Sequence, residues 1–234
     1  MSTLHALPIY QRTAEQLIRE IAAGRLLAGE RLPPERDMAA RFGISVGTLR
    51  KALADLEARG LLERRHGSGN YVRSLPEATG IYAFFRLELS VGGGGLPTAD
   101  VLSVRRCPKP SGAPQFGTSP EGHRIRRLRS VGGQIAALEE IWLDAGRVDR
   151  VLPSDLSESL YLYYRDCLGL VISRVEDRVG VSSVPAWRPA DFPVSEGRAA
   201  GYVERIGFDQ HTDAAEYSRT WFDNTTVRYV ARLK

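Results

Sequence analysis

The chain has 234 residues, 43% hydrophobic and 26% charged, with a formal net charge of +4. That length exceeds an ordinary domain of ~100–150 residues and argues for two domains, while the composition excludes long disordered tracts. No apolar run approaches the ~20 residues a membrane-spanning helix needs, and Met1 to Tyr10 lacks the basic start and apolar core of a secretory signal.

Residues 1–75 carry 12 Lys and Arg against 8 Asp and Glu, whereas residues 76–234 carry 20 of each. All the excess positive charge thus lies in the first third, which suits a polyanion-binding module joined to a neutral domain. From Ile9 to Ala23, Tyr10, Ala14, Leu17, Ile18 and Ile21 recur at helical spacing, and Gly24 is placed to end that helix. The stretch LLAGERLPPE reads as a turn-rich connection, with Pro34 in the first turn of a short helix running to about Phe42 and stopped by Gly43. Ser45 is placed to cap a third helix, Val46 to Arg59, closed by Gly60.

Two short helices around a glycine-containing turn, the second one basic, form a helix-turn-helix pattern. At 100° per residue, Leu49, Ala52, Leu53 and Leu56 share the buried stripe of the third helix. Gly47 and Lys51 fall opposite, with Thr48 and Arg50 on the flanks, so the front offers a small residue, a hydroxyl and two cations. Such a surface suits a DNA major groove, although a solvated basic face would share the pattern. The following segments, Leu61 to Arg65 and Asn70 to Arg73, are strand candidates around His66-Gly67-Ser68-Gly69, a hairpin with arginines about its tip. Basic helix followed by basic hairpin reads as a winged helix-turn-helix; a phosphate-binding nucleotide loop would need a helix and a lysine after Gly69.

The run YQRTAEQLIREIAAGRLLAGERLPPERDMAARFGISVGTLRKALADLEARGLLERRHGSGNYV resembles the N-terminal winged helix of GntR-type bacterial transcription regulators. The G-x-L-x-x-G-x-x-LP-x-ER-x-x-A run, the T-x-R-x-AL helix and the G-x-G-x-x-V wing carry the likeness. The resemblance implies DNA contacts from Arg36, Thr48, Arg50 and the Gly67–Ser68–Gly69 turn. With the neighbouring surface positions Ser45, Val46, Gly47, Lys51 and Arg65, these make up the expected DNA-binding set. Val46 stands where an arginine is common and Pro34 where a serine cap is usual; the first departure bears on one base contact.

Pro76 and Gly80 mark a plausible linker at 76–80, within a hinge segment 74–80. Beyond it, Ile81 to Leu89, Val101 to Arg106, His123 to Ser130 and Ile135 to Leu143 read as strands, with a glycine-rich loop at 91–95 and a clear turn at Val131-Gly132-Gly133-Gln134. Leu156 to Cys167 reads as a helix, and Leu170 to Val184, Arg198 to Phe208, Ala214 to Asp223 and Val227 to Leu233 as further strands. The expected class is α+β, a winged helix-turn-helix over 1–75 followed by a mostly antiparallel sheet domain over 81–234.

The segments RRLRSVGGQIAALEEIWL, DLSESLY and AAEYSRTWFDNTTVRY resemble the UTRA ligand-sensing domain of the HutC subfamily, whose fold is like that of chorismate lyase. The resemblance implies that Arg127, Arg129, Glu139, Ser159, Tyr161 and Glu216 line an effector pocket. In a strand, Arg127 and Arg129 point to one face and suit paired hydrogen bonds to a carboxylate or phosphate, so a small anionic metabolite is expected. A solvated sheet face is the alternative for these arginines. The expected partners are double-stranded operator DNA and a second copy of the chain, forming a homodimer on an inverted repeat in the cytoplasm at the nucleoid, more often as a repressor than an activator. Cys107 and Cys167 form no CxxC pair and the four histidines are scattered, so neither metal nor cofactor is expected. An enzyme acting on the ligand would need a nucleophile motif or cofactor loop that the sequence does not display, and an architectural DNA binder would not need the long neutral half.

Overall fold

The computed structural model describes residues 8–22, 25–73, 84–91, 97–156 and 159–232. The chain forms two compact units that divide between Arg86 and Leu87. Gly24, the 76–80 linker, the start of the expected strand at 81–83 and most of the glycine-rich loop lie outside the described residues.

In the first unit, α1 (Ile9–Ala22), α2 (Glu35–Phe42) and α3 (Val46–Ala58) precede the hairpin strands β1 (Leu62–Arg65) and β2 (Gly69–Val72). Ala14, Leu17, Ile18 and Ile21 of α1 join Leu49, Ala52, Leu53 and Leu56 of α3 in one buried core, to which the hairpin adds Leu62 and Val72. The helical periodicity thus names the packed faces. Pro34 lies just outside the first turn expected for it, as the N-cap of α2 with φ −52° and ψ 141°, and its carbonyl, accepting from Asp37 and Met38, closes that turn. Gly43 ends α2 in the left-handed conformation, φ 63°, which a side chain would disfavour.

The connection before α2 is more ordered than its turn-rich composition implies. Gly29 donates to Val72, Val72 to Glu30 and Leu32 to Asn70, so residues 29–32 flank β2 as a third extended segment.

The second unit is built on a six-stranded antiparallel sheet in the order β4-β5-β6-β9-β8-β7: β4 (Pro97–Pro108), β5 (Glu121–Val131), β6 (Gln134–Asp144), β7 (Ile172–Ser183), β8 (Ala199–Asp209) and β9 (Ala214–Phe222). Gly132 and Gly133, at φ 57° and 81°, make the two-residue turn between β5 and β6 that their sequence demands. A separate two-stranded ribbon pairs β3 (Leu87–Leu89) with β10 (Val227–Tyr229). Three expectations are corrected. Among the described residues the apolar run ending at Leu89 is a strand only over its last three positions. The expected helix from Leu156 starts instead at Leu160, because Pro153–Asp155 makes a separate 3-10 turn and Ser159 caps α4 (Leu160–Leu168). The closing strand stops at Tyr229.

Opposed residues in an antiparallel sheet share a face. One face carries Arg127, Glu139, Ser218, Arg205 and Asp177. On the other, Val184, at the end of an expected strand, and Trp187, Phe192 and Val194, from the stretch before the next one, pack with Leu128, Leu138 and Trp221.

Candidate DNA interface and effector site

The front of α3 is built as its sequence suggests. Ser45, extended at φ −71° and ψ 151°, accepts from the Thr48 amide at 3.1 Å, and the two hydroxyls lie 2.9 Å apart. This cap satisfies one orphan amide and leaves the first turn exposed. Gly47, Arg50 and Lys51 are exposed and Thr48 is half-buried, whereas Val46 is half-buried and packs against the core. Arg36 is exposed in the first turn of α2. The side chain of Arg50 is 66% exposed, and its Nε donates to Glu35 Oε2 at 2.6 Å, so α2 steadies the guanidinium without covering it.

The wing has a three-residue tip, His66-Gly67-Ser68, closed by Ser68 donating its amide to Arg65 at 2.9 Å. Gly67 lies at φ 71° with open space where a Cβ would stand, so glycine serves the backbone conformation there and keeps the tip slim. Arg65 stacks on Tyr71 at 4.2 Å and pairs with Glu63 at 3.2 Å. A Cβ on Gly69 would lie 3.2 Å from Arg31 Nε. Arg31 therefore stands beside the hairpin, a cation that sequence reasoning missed because its segment lies about forty residues away in the chain. The helix front and wing share one core, so the expected DNA-binding residues fall within one unit.

In the second unit, Arg127 and Glu139 face each other across β5 and β6. Arg127 Nη2 lies 2.7 Å from Glu139 Oε2, and Arg129 binds the same carboxylate through Nη2 at 3.0 Å and Nε at 3.1 Å. Both arginines are only 4% exposed, so they do not form a solvated face. Burial raises the Glu139 carboxyl, but Arg127 and Arg129 overcome it and hold the group at about 2. Burial lowers Arg127, with Glu139 opposing and Arg129 reinforcing that shift.

Glu216 stands opposite Leu143, four residues along β9 from the Thr220 that faces Glu139, or roughly 13 Å along the strand. Tyr161, on α4, donates its hydroxyl to Glu216 Oε1 at 3.2 Å. Burial pushes the Glu216 carboxyl above its usual range against the opposing pull of Tyr164, Arg205 and Tyr161. The Tyr164 hydroxyl and Glu216 Oε2 are both buried, and they interact with each other short of full hydrogen-bond geometry. Such groups are costly when unsatisfied and mark where a polar ligand would gain most. Ser159, 3% exposed, accepts from Leu162 at 3.4 Å as the cap of α4, a structural task beside the pocket-lining role expected for it. Sequence reasoning missed Tyr164, which α4 carries, and Ser218, Arg205 and Asp177, which strand register brings to this face; only their polar character within helix or strand patterns could have drawn notice.

A cavity of about 520 Å³ lies elsewhere in this unit, lined by residues that include Phe116, Asp144 and Arg147 and by none of the six expected effector residues. Its central carboxylate, Asp144, already accepts from Lys109 at 2.6 Å and from the amides of Thr118, Ser119 and Gly146, so it offers a ligand less than the Arg127–Glu216 face does.

Residues 9–72 match the family model for bacterial regulatory proteins of the gntR family, and residues 93–228 match the UTRA domain. The chain belongs to the GntR family. It is 56% identical over 229 residues to the HTH-type transcriptional regulator SmoD of Agrobacterium fabrum, covering 98% of this chain and 97% of that protein. It is 27% identical to the HTH-type transcriptional repressor NagR of Bacillus subtilis, covering 97% of this chain and 96% of the relative. Its fold is that of the possible transcriptional regulator YydK from Bacillus subtilis, TM-score 0.55 at 22% identity over 97% of this chain and all of the other. This GntR regulator is therefore a DNA-binding, ligand-responsive transcription factor with a winged helix-turn-helix and a UTRA sensor.

Proposed function

We propose that the protein is a homodimeric repressor, released from an inverted-repeat operator when a small hydroxylated anion occupies the sheet face of its UTRA domain. The carrying observation is the pair of buried guanidiniums, Arg127 and Arg129, converging on Glu139 on the face where buried Glu216 Oε2 and the Tyr164 hydroxyl interact short of a completed hydrogen bond. Guanidiniums on one face suit a carboxylate or phosphate, and an unsatisfied carboxylate oxygen suits a hydroxyl donor. One relative, the mannosyl-D-glycerate transport/metabolism system repressor MngR of Escherichia coli, 26% identical over 176 residues, is named for a metabolite with both features, which supports this class.

We assign residues 1–75 to DNA binding, 76–80 to the connection and 81–234 to sensing and dimerisation. Ser45, Thr48, Arg50, Lys51 and Arg36 meet the major groove and its phosphates, Gly47 permits close approach, and Arg65 with Gly67, Ser68 and Gly69 forms the wing contact. Val46, turned into the core, acts by setting the angle of α3. Ligand lowers operator affinity only to the extent that it binds the DNA-free arrangement better than the DNA-bound one. No catalytic role is assigned, and the site of action is the nucleoid in the cytoplasm.

A thermal-shift screen of sugar phosphates and hydroxy acids, followed by calorimetry of each hit on wild type and Arg127→Ala, tests the site. Hits should lose at least tenfold in affinity in the variant and should dissociate operator DNA in a gel shift. Undiminished binding to Arg127→Ala removes the arginine from the site, and tight binding without loss of operator affinity defeats the regulatory reading.

A further inference from the structure

The effector face continues beyond the six expected residues. Tyr161, which donates to Glu216, is also hydrogen-bonded to Arg205. Arg205 grips Asp177 with two bonds of 2.6 Å, from Nε and from Nη2. Asp177 Oδ2 in turn accepts the Tyr229 hydroxyl at 2.6 Å. Ser218, Arg205 and Asp177 are cross-strand neighbours on β9, β8 and β7, so the rigid sheet sets the spacing of this row. The links at Glu216, Arg205 and Asp177 each pair an ionisable group with a hydrogen-bond partner, the stronger and more directional kind of contact.

Tyr229 is the last residue of β10, opposite Leu87, the first residue of β3. The chain divides into its two units immediately before Leu87. The far end of the ribbon has its own anchors: Val227 is fully buried, its amide donates to Asp223 at 2.9 Å, and Ser90 donates to Thr226 at 2.9 Å. A ribbon of three paired residues on each strand is marginal by itself. Its near end, where the chain enters the sensor, is held by the Tyr229–Asp177 bond together with the burial of Leu87.

We propose that Arg205, Asp177 and Tyr229 are positioning residues that couple the Glu216–Tyr161 end of the effector site to the near end of the β3–β10 ribbon, and so to the segment that leads to the DNA-binding unit. This rests on the effector-site reading above. A ligand hydroxyl that donates to Glu216 Oε2 draws on the charge of the same carboxylate and weakens the hold of Oε1 on the Tyr161 hydroxyl. The Tyr161 hydroxyl then shifts against Arg205, and the fork on Asp177 carries the change to Tyr229.

Amide hydrogen exchange on the full chain, free of ligand, tests the relay with Tyr161→Phe, Tyr229→Phe and the double variant. Each single change should speed exchange at Leu87–Leu89 and Val227–Tyr229 about fivefold, the factor expected for losing one hydrogen bond of ordinary net strength. The double variant should exchange no faster there than Tyr229→Phe alone, while Ile125 and Leu138 keep wild-type rates. Unchanged ribbon exchange in Tyr161→Phe, or multiplying effects in the double variant, overturns the relay. If a variant loosens Ile125 and Leu138 as well, Arg205→Lys decides the matter, since it keeps the charge and loses the fork: ribbon-selective loosening supports the relay and its absence overturns it. Millimolar inorganic phosphate should slow exchange around Arg127 and Arg129 in wild type and Tyr229→Phe alike. Absence of that protection counts against the effector site and leaves the ligand-free comparison to judge the relay.

Discussion

Arg50, on the exposed front of α3, is tied through its Nε to Glu35 in the first turn of α2 at 2.6 Å. The contact orients a long side chain that would otherwise lose rotamer freedom on meeting DNA, which is the cost preorganisation removes. Arg50→Ala should weaken operator binding by ~1–3 kcal/mol and relax discrimination at one base step. Glu35→Gln should weaken binding less and leave the preferred base unchanged. Fluorescence anisotropy against single-base operator variants measures both; equal losses on every sequence would make Arg50 a phosphate contact.

Phosphate contacts differ from base contacts in their salt dependence. Lys51 is exposed and makes no ion pair among the described residues, whereas Arg65 shares its charge with Glu63 and stacks on Tyr71. Lys51→Ala should flatten the dependence of log affinity on log salt by about one unit, and Arg65→Ala by less. Titrations at several salt concentrations check this, and a larger change for Arg65 would reverse the assignment.

At the wing tip, the positive φ of 71° at Gly67 opposes any side chain although space is open around it. Gly67→Val should destabilise the DNA-binding unit by ~1–2 kcal/mol from backbone strain, while Gly67→Asn, which tolerates the left-handed region, should cost less. Chemical denaturation separates the two.

Glu139 and Glu216 should give opposite pH signatures. Glu139, held at about 2 by Arg127 and Arg129, contributes stability that is complete above its unfolded value near 4.5 and fades as pH falls toward 2. Glu216 is raised by burial, so its contribution is greatest at low pH and is lost as pH rises through its folded value. Glu139→Gln should therefore be strongly destabilising at neutral pH, because it strips a buried carboxylate from two guanidiniums, with the difference from wild type shrinking in acid. Glu216→Gln should be close to neutral or stabilising at pH 7. Denaturation of both variants across pH 2–8 checks the pair, and parallel slopes would refute it.

The helix-turn-helix is legible in the sequence because its contacts are local. Leu49, Ala52, Leu53 and Leu56 repeat with the helical period, Ser45 and Gly43 carry the chemistry of a cap and a stop, and Gly132-Gly133 can make only a few turns. Arg127 and Arg129 were also legible as one-face partners, since alternation along a strand needs no knowledge of its neighbours. The late start of α4 and the early end of β10 were not, because an apolar pattern continues past the point where a proline turn or a lost strand partner ends the element.

The family, the winged helix and the one-face pairing of two arginines are written in the amino-acid order, because each rests on patterns between near neighbours in the chain. Tertiary structure alone decided that Glu139 sits between those arginines, that Val46 faces inward, that Arg31 stands by the wing, and that Asp177, Arg205 and Tyr229 form one row. Asp177 and Tyr229 are 52 positions apart. Arg205 and Asp177 meet through the register of β7 and β8, and Tyr229 reaches them from the separate β3–β10 ribbon; both follow from burying whole faces at once, a condition that no short stretch of sequence expresses.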